Sequence, residues 1–466
     1  MNALASPRAW CLRLPRALPT RRPTPSTLRR RVCIHTSSSC IQPNTTTTEK
    51  KKKQKVIVIS GPTGAGKSRL AFELARRING EIISADSVQV YRGLDVGSAK
   101  PSWAERKEVR HHLLDILHPS EDYSVGQFYE DARRATRDIL ESGRVPIVVG
   151  GTGLYLRWFI YGKPDVPKSS PEIATDVHAQ LKNYQRIGDW DAAVQLVFQA
   201  GDLRAQSLAA NDWYRLRRSL EIIKATGSPP SAFPVPYESF REQLSSPIED
   251  CSVDVAPFAN GIDEDHIDGL DYNFICFFIS SHRRDLYRAI DLRCEDMLSG
   301  SDGLLSEAKW LLDIGLLPNM NSATRAIGYK QAMEYLLYCR EQGGRTSCED
   351  FIAFLSEFQK ASRHFAKRQT TWFRNELIYH WLDLSRPLEI LLNFINDAYI
   401  DQSGRVIVPE SLEFKRNPPT RRQAGELNKY RTENRYFVTR KDCTDVLRWI
   451  RTEMCNSDRD VDAMKV

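Results

Sequence analysis

The sequence predicts an α/β fold, in which a parallel β-sheet is flanked by helices and carries a helical insertion. Three short apolar runs, at residues 56–59, 145–149 and 274–279, have the length and composition of buried strands. Helical patterns follow the first and third runs and precede the second, and such alternation is typical of parallel sheets. Residues 164–228 are helical in pattern and lie between the second and third strands. We therefore expect them to form an insertion carried by the sheet.

The first strand leads into the pattern G-x-x-x-x-G-K-S, and a helix follows. In a strand–loop–helix context this pattern is a P-loop, whose backbone N–H groups surround phosphate oxygens; the alternative is a glycine-rich turn without a ligand. Lys67 would reach the outer phosphate, and the Ser68 hydroxyl can hold Mg²⁺. We expect a P-loop NTPase-like core that binds a di- or triphosphate through Gly61, Pro62, Thr63, Gly64, Ala65, Gly66, Lys67 and Ser68.

Residues 81–87 predict a further short strand that ends in a polar turn and brings Asp86 to its carboxyl end. Ligands of open α/β sheets gather at the carboxyl ends of strands, so Asp86 is expected beside the phosphate loop. A turn carboxylate or a helix cap would explain an aspartate here equally well. Both interpretations stay open from the residues alone.

The strand at 145–149 ends in Gly150-Gly151-Thr152-Gly153, where a P-loop NTPase usually places an acidic Mg²⁺ ligand. This departure argues against a motor or a switch that hydrolyses ATP. The glycines would let the backbone approach a ligand closely, and Thr152 offers one hydroxyl.

Positive charge is concentrated in the first 55 residues. They contain 13 Lys or Arg and one acid, a net charge of +12, so the remaining chain has a net charge of −5. Few acids and many Ser, Thr and Pro are typical of an organellar transit peptide. We expect import into a plastid or mitochondrion; a disordered basic tail on a cytoplasmic protein is the alternative.

The ten cysteines include no C-x-x-C pair, which argues against a zinc finger or a disulfide framework.

We divide the chain into six regions by composition. The leader spans 1–55, the first part of the core 56–163 and the helical insertion 164–228. Residues 229–271 are rich in proline and then in acids, which predicts a disordered insert. The core is completed by 272–384, and 385–466 form a C-terminal extension. No run of 18 apolar residues occurs, so no membrane partner is expected.

Two helices combine cations with aromatic residues. The first contains Arg215 and Arg218 beside Trp213 and Tyr214, and the second contains the run from Arg363 to Arg374. Such faces are either solvated or bind nucleic acid through its phosphates and bases.

The order of the motifs resembles that of the tRNA dimethylallyltransferase family, most closely its plant tRNA-type members, over about residues 55–385. Besides residues 61–68, the resemblance depends on residues 86–91, 98–101, 112–115, 150–155, 215–221, 325–329 and 367–372. It implies transfer of a dimethylallyl group from dimethylallyl diphosphate to N6 of adenosine 37, next to the tRNA anticodon. The implied partners are the tRNA anticodon stem-loop, the donor and Mg²⁺, and the expected state is a monomer.

The same resemblance implies roles for individual residues. Asp86 would be the general base, while Lys67, Thr152 and Arg325 would act on the diphosphate and Ser68 would hold Mg²⁺. The expected tRNA-binding residues are Asp86, Ser87, Val88, Gln89, Arg215, Arg218, Lys367, Arg368 and Arg374.

Two other functions are compatible with a P-loop beside an aspartate. An adenylate isopentenyltransferase would use free AMP, ADP or ATP, but such enzymes usually lack the long insertion and the Lys-Arg-Gln-x-x-Trp block that are present here. A P-loop kinase or an RNA-binding NTPase would use ATP, which the missing acidic Mg²⁺ ligand disfavours. Ser98 stands where the family usually has Thr, and a hydroxyl is retained.

Overall fold

A computed structural model describes residues 53–245 and 270–463, apart from 301, 418–419, 422–424, 426 and 428. The predicted transit peptide, except for its last three residues, and most of the predicted acidic insert therefore lie outside the described residues. Within the described ranges, no helix is long and apolar enough to cross a membrane.

Six strands form one parallel sheet in the order β3-β2-β4-β1-β5-β6. The predicted α/β class with a parallel sheet is confirmed. The third predicted strand, Asn273–Ser280, pairs directly with the first, so the sheet resumes after the long helical excursion. The last strand was not predicted from the sequence. The strands are β1 Lys55–Ser60, β2 Gly80–Ser84, β3 His111–His112, β4 Val145–Gly150, β5 Asn273–Ser280 and β6 Tyr379–Asp383.

The sheet is buried on both faces because helices pack against each face, and alternate side chains of each strand point to the two sides. In β1, Ile57 and Ile59 join a core with helices α1 (Lys67–Ile78) and α13 (Leu388–Ile400). Val56 and Val58 join the larger core on the other face. The apolar runs in the sequence reflect this double burial.

Helices of the larger face come from distant parts of the chain. They include the helix before β4, the helix after β5 and the 26-residue helix Cys348–Phe373. In chain order, the remaining helices are α2 Trp103–Glu108, α3 Val125–Glu141, α4 Gly153–Tyr161, α5 Pro171–Ile187, α6 Trp190–Gln199, α7 Trp213–Thr226, α8 Pro236–Ser245, α9 Arg283–Asp296, α10 Leu304–Asp313, α11 Tyr329–Glu341, α12 Cys348–Phe373 and α14 Thr444–Ala463.

Helices α5, α6 and α7 of the insertion enclose a small core of their own, which includes Val177, Val197 and Leu216. Helix α8 follows within the range predicted to be a disordered insert, and that prediction is wrong for this part. Tyr237 and Phe240 of α8 are buried in the larger core, so the chain stays ordered to Ser245. Pro236 stands at the first helical position, where proline is favourable and does not interrupt the helix.

Candidate active site

Two adjoining cavities lie at the carboxyl ends of β1, β2 and β4. The first, which we call the loop cavity, has a volume of about 600 Å³ and includes Gly64, Gly66, Lys67 and Ser68 of the predicted P-loop. The second, the inner cavity, has a volume of about 430 Å³ and includes Thr152 and Arg325. They meet along a shared wall formed by Thr63, Asp86, Ser98, Arg293, Met297, Phe365 and Gln369.

The loop between β1 and α1 has the geometry that an anion cradle requires. Gly64 and Gly66 have φ angles of 78° and 81°, a left-handed conformation that side chains with a Cβ disfavour. The turn is closed by the Ala65 N–H, which donates to the Pro62 carbonyl at 3.2 Å. Helix α1 begins at Lys67, so the positive end of its dipole faces the loop cavity. This arrangement can bind phosphate oxygens.

Lys67 is a half-buried cation in the loop cavity. Burial and the nearby charge of Arg293 lower the pKa of Lys67 to about 8, with burial the larger cause, and Asp86 partly opposes both effects. Its ammonium donates to the Pro62 carbonyl at 2.9 Å. A bound anion would stabilise the charged form, since an opposite charge raises the pKa of a lysine.

Sequence reasoning assigned no role to Arg293, which lines both cavities. It donates to Thr63 Oγ1 at 3.3 Å, and burial lowers its pKa. Ile290 of the same helix and Met297, its C-cap residue, also line the inner cavity. The spacing 290, 293, 297 defines one helical face, and that periodicity could have singled out Arg293 among the arginines of α9.

Gln369 links three segments of the site. Its Oε1 accepts the Thr63 N–H at 2.8 Å, and its Nε2 donates to the Gly151 carbonyl at 3.0 Å. The buried amide therefore joins α12 to the P-loop and to the turn after β4. The sequence placed Gln369 in a motif, but only the structure shows what its two ends contact.

Asp86 lies just beyond β2 and lines both cavities. Its Oδ1 accepts the backbone N–H groups of Val88 at 2.9 Å and Gln89 at 3.4 Å. The turn interpretation thus accounts for one oxygen. No hydrogen bond to Oδ2 occurs among the described residues, so this oxygen can accept a proton from a ligand in the cavity.

Gln89 also lines the loop cavity, but its side chain is engaged within the protein. It accepts from the Ser84 hydroxyl at 2.8 Å and donates to the Ser98 and Ala99 carbonyls at 3.2 and 3.3 Å. These bonds tie the end of β2 to the loop at 97–100. A contact between Gln89 and a substrate base remains a prediction.

The loop at 95–97 is fixed by Glu307 of α10. Its carboxylate accepts backbone N–H groups of Asp95, Val96 and Gly97 at 2.6, 2.7 and 2.9 Å. The Tyr329 hydroxyl donates to the same carboxylate at 2.7 Å. Glu307 therefore holds one wall of the cavities rigid, a role that nothing in the sequence marked.

Thr152 and Arg325 line the inner cavity, and a contact of either residue with a diphosphate remains a prediction. Thr152 precedes the first residue of α4, so it lies at the positive end of that helix. Arg325 Nε donates to the Asn321 carbonyl at 3.3 Å, which orients the guanidinium. Ser87 and Val88 line the same cavity. Gly61, Pro62 and Ala65 shape the loop without lining either cavity.

The predicted tRNA-binding cations are dispersed. Arg368 lines the inner cavity and, with Lys367, a shallow surface cavity on α12. Arg215 pairs with Asp212 at 3.0 Å, and Arg218 with Glu221 at 3.0 Å, both within α7 and its cap. Arg374 lines a separate cavity on the other side of α12. The structure does not bring these five cations together in one site.

The oxygen atoms present fit Mg²⁺ in the loop cavity. Ser68 and Asp86 both line it, and no cluster of three or more His, Cys, Asp or Glu suited to a metal occurs among the described residues. Mg²⁺ commonly takes one or two protein oxygens and fills its other positions with water and phosphate. Ser68, together with phosphate oxygens, would satisfy that pattern.

Comparisons with known proteins show the family of this chain. The family model described as IPP transferase matches residues 89–376, and a model described as isopentenyl transferase matches residues 54–118. The tRNA dimethylallyltransferase 9 of Arabidopsis thaliana is 61% identical, covering 94% of each chain. A tRNA dimethylallyltransferase of Protochlamydia amoebophila is 36% identical, covering 74% of this chain and 88% of its own.

One solved structure supports the fold independently. It is a eukaryotic dimethylallyltransferase described as acting on tRNA, with a TM-score of 0.55, 26% identity and coverage of 77% of this chain and 81% of that chain. The predicted family is confirmed: this chain belongs to the tRNA dimethylallyltransferase family.

Proposed function

We propose that this protein transfers a dimethylallyl group from dimethylallyl diphosphate to N6 of adenosine 37 of tRNA, giving N6-isopentenyladenosine and diphosphate. The observation that carries the proposal is the shared wall between the two cavities. Asp86 lies in that wall, between an anion cradle and a cavity of about 430 Å³. Membership of the family and the names of the relatives support the same reaction.

The donor fits the two cavities by its chemistry. Its diphosphate would lie on the P-loop, where Lys67 and Arg293 offset the negative charge that grows as the allylic C–O bond breaks. Its five-carbon group would lie against the apolar part of the inner cavity, which includes Ile290, Met297 and Phe358. Arg325 and Thr152, which line the same cavity, would contact the donor there.

The acceptor step needs a base, because an exocyclic adenine amine is a weak nucleophile. N6 attacks the first carbon of the dimethylallyl group, the C–O bond to diphosphate breaks, and N6 loses one proton. The Asp86 carboxylate takes that proton through the oxygen that the turn does not use. The adenine must leave its base stack, which costs a few kcal/mol.

Mg²⁺ would be held by Ser68 and the diphosphate oxygens. When bound, it neutralises part of the charge on the leaving diphosphate.

We further infer that residues 1–55 direct the protein to a plastid or mitochondrion. A fluorescent fusion of residues 1–60 tests this: fluorescence that stays diffuse in the cytoplasm would contradict import.

The decisive test is a transfer assay with radiolabelled dimethylallyl diphosphate. The protein is incubated in parallel with unmodified tRNA and with AMP, and Asp86→Asn serves as the inactive control. We expect label on tRNA, with nuclease digestion locating it on the adenosine next to the anticodon. Label on AMP alone, or steady phosphate release from ATP, would overturn the proposal.

A further inference from the structure

A third and a fourth cavity lie beside the N-terminal half of α9, and cations outnumber carboxylates among the residues that line them. One has a volume of about 490 Å³ and the other about 310 Å³, and they share Arg284 and Tyr430. Together they form a continuous surface, which we call the basic groove. Seven cations and three carboxylates line it: Arg283, Arg284, Arg288, Arg374, Lys415, Lys429 and Arg431, with Asp383, Glu413 and Glu433.

Half of this groove comes from the C-terminal extension, outside the residues that the family model matches. Residues 413–435 contain seven Lys or Arg and three acids, whereas the chain after residue 55 has a net charge of −5. A positive segment on a negatively charged body produces a local field that attracts anions.

Buried carboxylates of α9 hold the extension in place. The fully buried Glu295 accepts backbone N–H groups of Arg435, Tyr436 and Phe437 at 2.9, 2.7 and 3.2 Å. The buried Asp291 accepts the Tyr430 hydroxyl at 2.8 Å. Such charge-assisted bonds are about twice as strong as neutral ones. The groove is therefore a built surface rather than a chance approach of a tail.

The groove adjoins the helix that carries the catalytic cavity. On α12, Phe365, Arg368 and Gln369 line the inner cavity, while Thr370 and Arg374 line the groove. One helix thus connects the two sites within three turns.

We propose that the basic groove binds backbone phosphates of the tRNA substrate outside the catalytic cavity. The proposal rests on the proposed function. The charged residues that line the two joined cavities have a net charge of +4, and Arg284, Arg288, Lys429 and Arg431 are exposed, which suits a polyanion better than a compact ligand. The groove contributes affinity for tRNA and takes no part in the chemical step.

The test removes three exposed cations of the groove together, Arg284→Gln, Lys429→Gln and Arg431→Gln. A matched control removes three exposed cations elsewhere, Lys107→Gln, Arg137→Gln and Arg345→Gln. We expect the groove variant to raise KM for tRNA several-fold with kcat unchanged. The slope of log KM against log salt should fall by about one for each tRNA phosphate that is no longer neutralised. The control should match the wild type, and thermal unfolding verifies that both variants fold.

Wild-type values of KM and salt slope in the groove variant would overturn the inference, as would an equal loss in the control. Filter binding of tRNA without the donor separates this failure from a failure of the proposed function. A protein that binds tRNA through the groove but transfers no label would contradict the function alone. If the groove variant lost binding to anionic lipid vesicles but bound tRNA like the wild type, the groove would be assigned to a membrane surface and the inference would be overturned.

Discussion

Arg293 lies close enough to Lys67 in the loop cavity that its charge helps to lower the lysine's pKa. Burial is the larger cause, and the two effects bring the pKa of Lys67 to about 8. Two cations held together in a poorly hydrated site repel each other until an anion arrives. The site is thus prepared for a highly charged ligand such as a diphosphate.

The first prediction concerns pH. Lys67 binds an anion in its charged form, so the affinity for diphosphate should fall as the pH rises through about 8. In Arg293→Gln one repulsive charge is removed, so the midpoint of this fall should move to higher pH. Calorimetric titration with inorganic diphosphate between pH 7 and 9.5 measures both. An affinity independent of pH over that range would contradict the prediction.

The second prediction separates the two roles of Asp86. Asp86→Asn keeps an Oδ1 that can accept from Val88 and Gln89, so the turn is preserved while the base is lost. Asp86→Ala removes both the hydrogen bonds of the turn and the base. Each variant should lose about 10²–10⁴-fold in kcat, with tRNA affinity retained. Single-turnover transfer and filter binding measure these effects, and near-normal turnover of Asp86→Asn would exclude the carboxylate as the base.

The third prediction concerns the bridge made by Gln369. Gln369→Met keeps the volume but leaves the Thr63 N–H and the Gly151 carbonyl without their partner. Unsatisfied groups of this kind cost about 1–3 kcal/mol of unfolding free energy, and a looser P-loop should bind diphosphate more weakly. Urea denaturation and diphosphate titration test the two effects. The exposed Gln180→Met is the control, and equal behaviour of the two variants would refute the bridge.

The fourth prediction concerns a buried ion pair beneath α4. Arg157 Nε donates to Glu376 Oε1 at 2.8 Å. The Arg157 guanidinium carbon lies over the rings of Tyr237 and Trp372, 3.9 and 4.1 Å from the ring centroids. Burial raises the pKa of Glu376, and Arg157 opposes that shift. Arg157→Met leaves this carboxylate without its partner and should cost about 3–5 kcal/mol.

Urea denaturation of the Arg157 variant tests this cost. Replacing both partners, Arg157→Met with Glu376→Leu, should recover most of the stability, since the buried carboxylate is then removed together with its partner. The exposed Arg137→Met should change the unfolding free energy by no more than about 0.5 kcal/mol. A single Arg157→Met variant as stable as the wild type would show that the pair is not required for folding.

Local sequence signals were sufficient for the α/β class, the P-loop and the family. Those features depend on short runs, such as the apolar strand at 56–59 and the glycines of residues 61–68, whose geometry is set by neighbours in the chain. Asp86 could also be placed near the phosphate loop, because the carboxyl ends of parallel strands meet at one edge of the sheet.

Packing between distant segments decided the rest. The positions of Arg293, Gln369 and Glu307 depend on helices that meet the P-loop and its neighbouring loops only in the folded chain. Strand β6 and the ordered helix α8 depend on long-range burial in the same way. The local sequence around these residues and elements does not specify their partners, since the stabilising contacts come from residues far away in the chain.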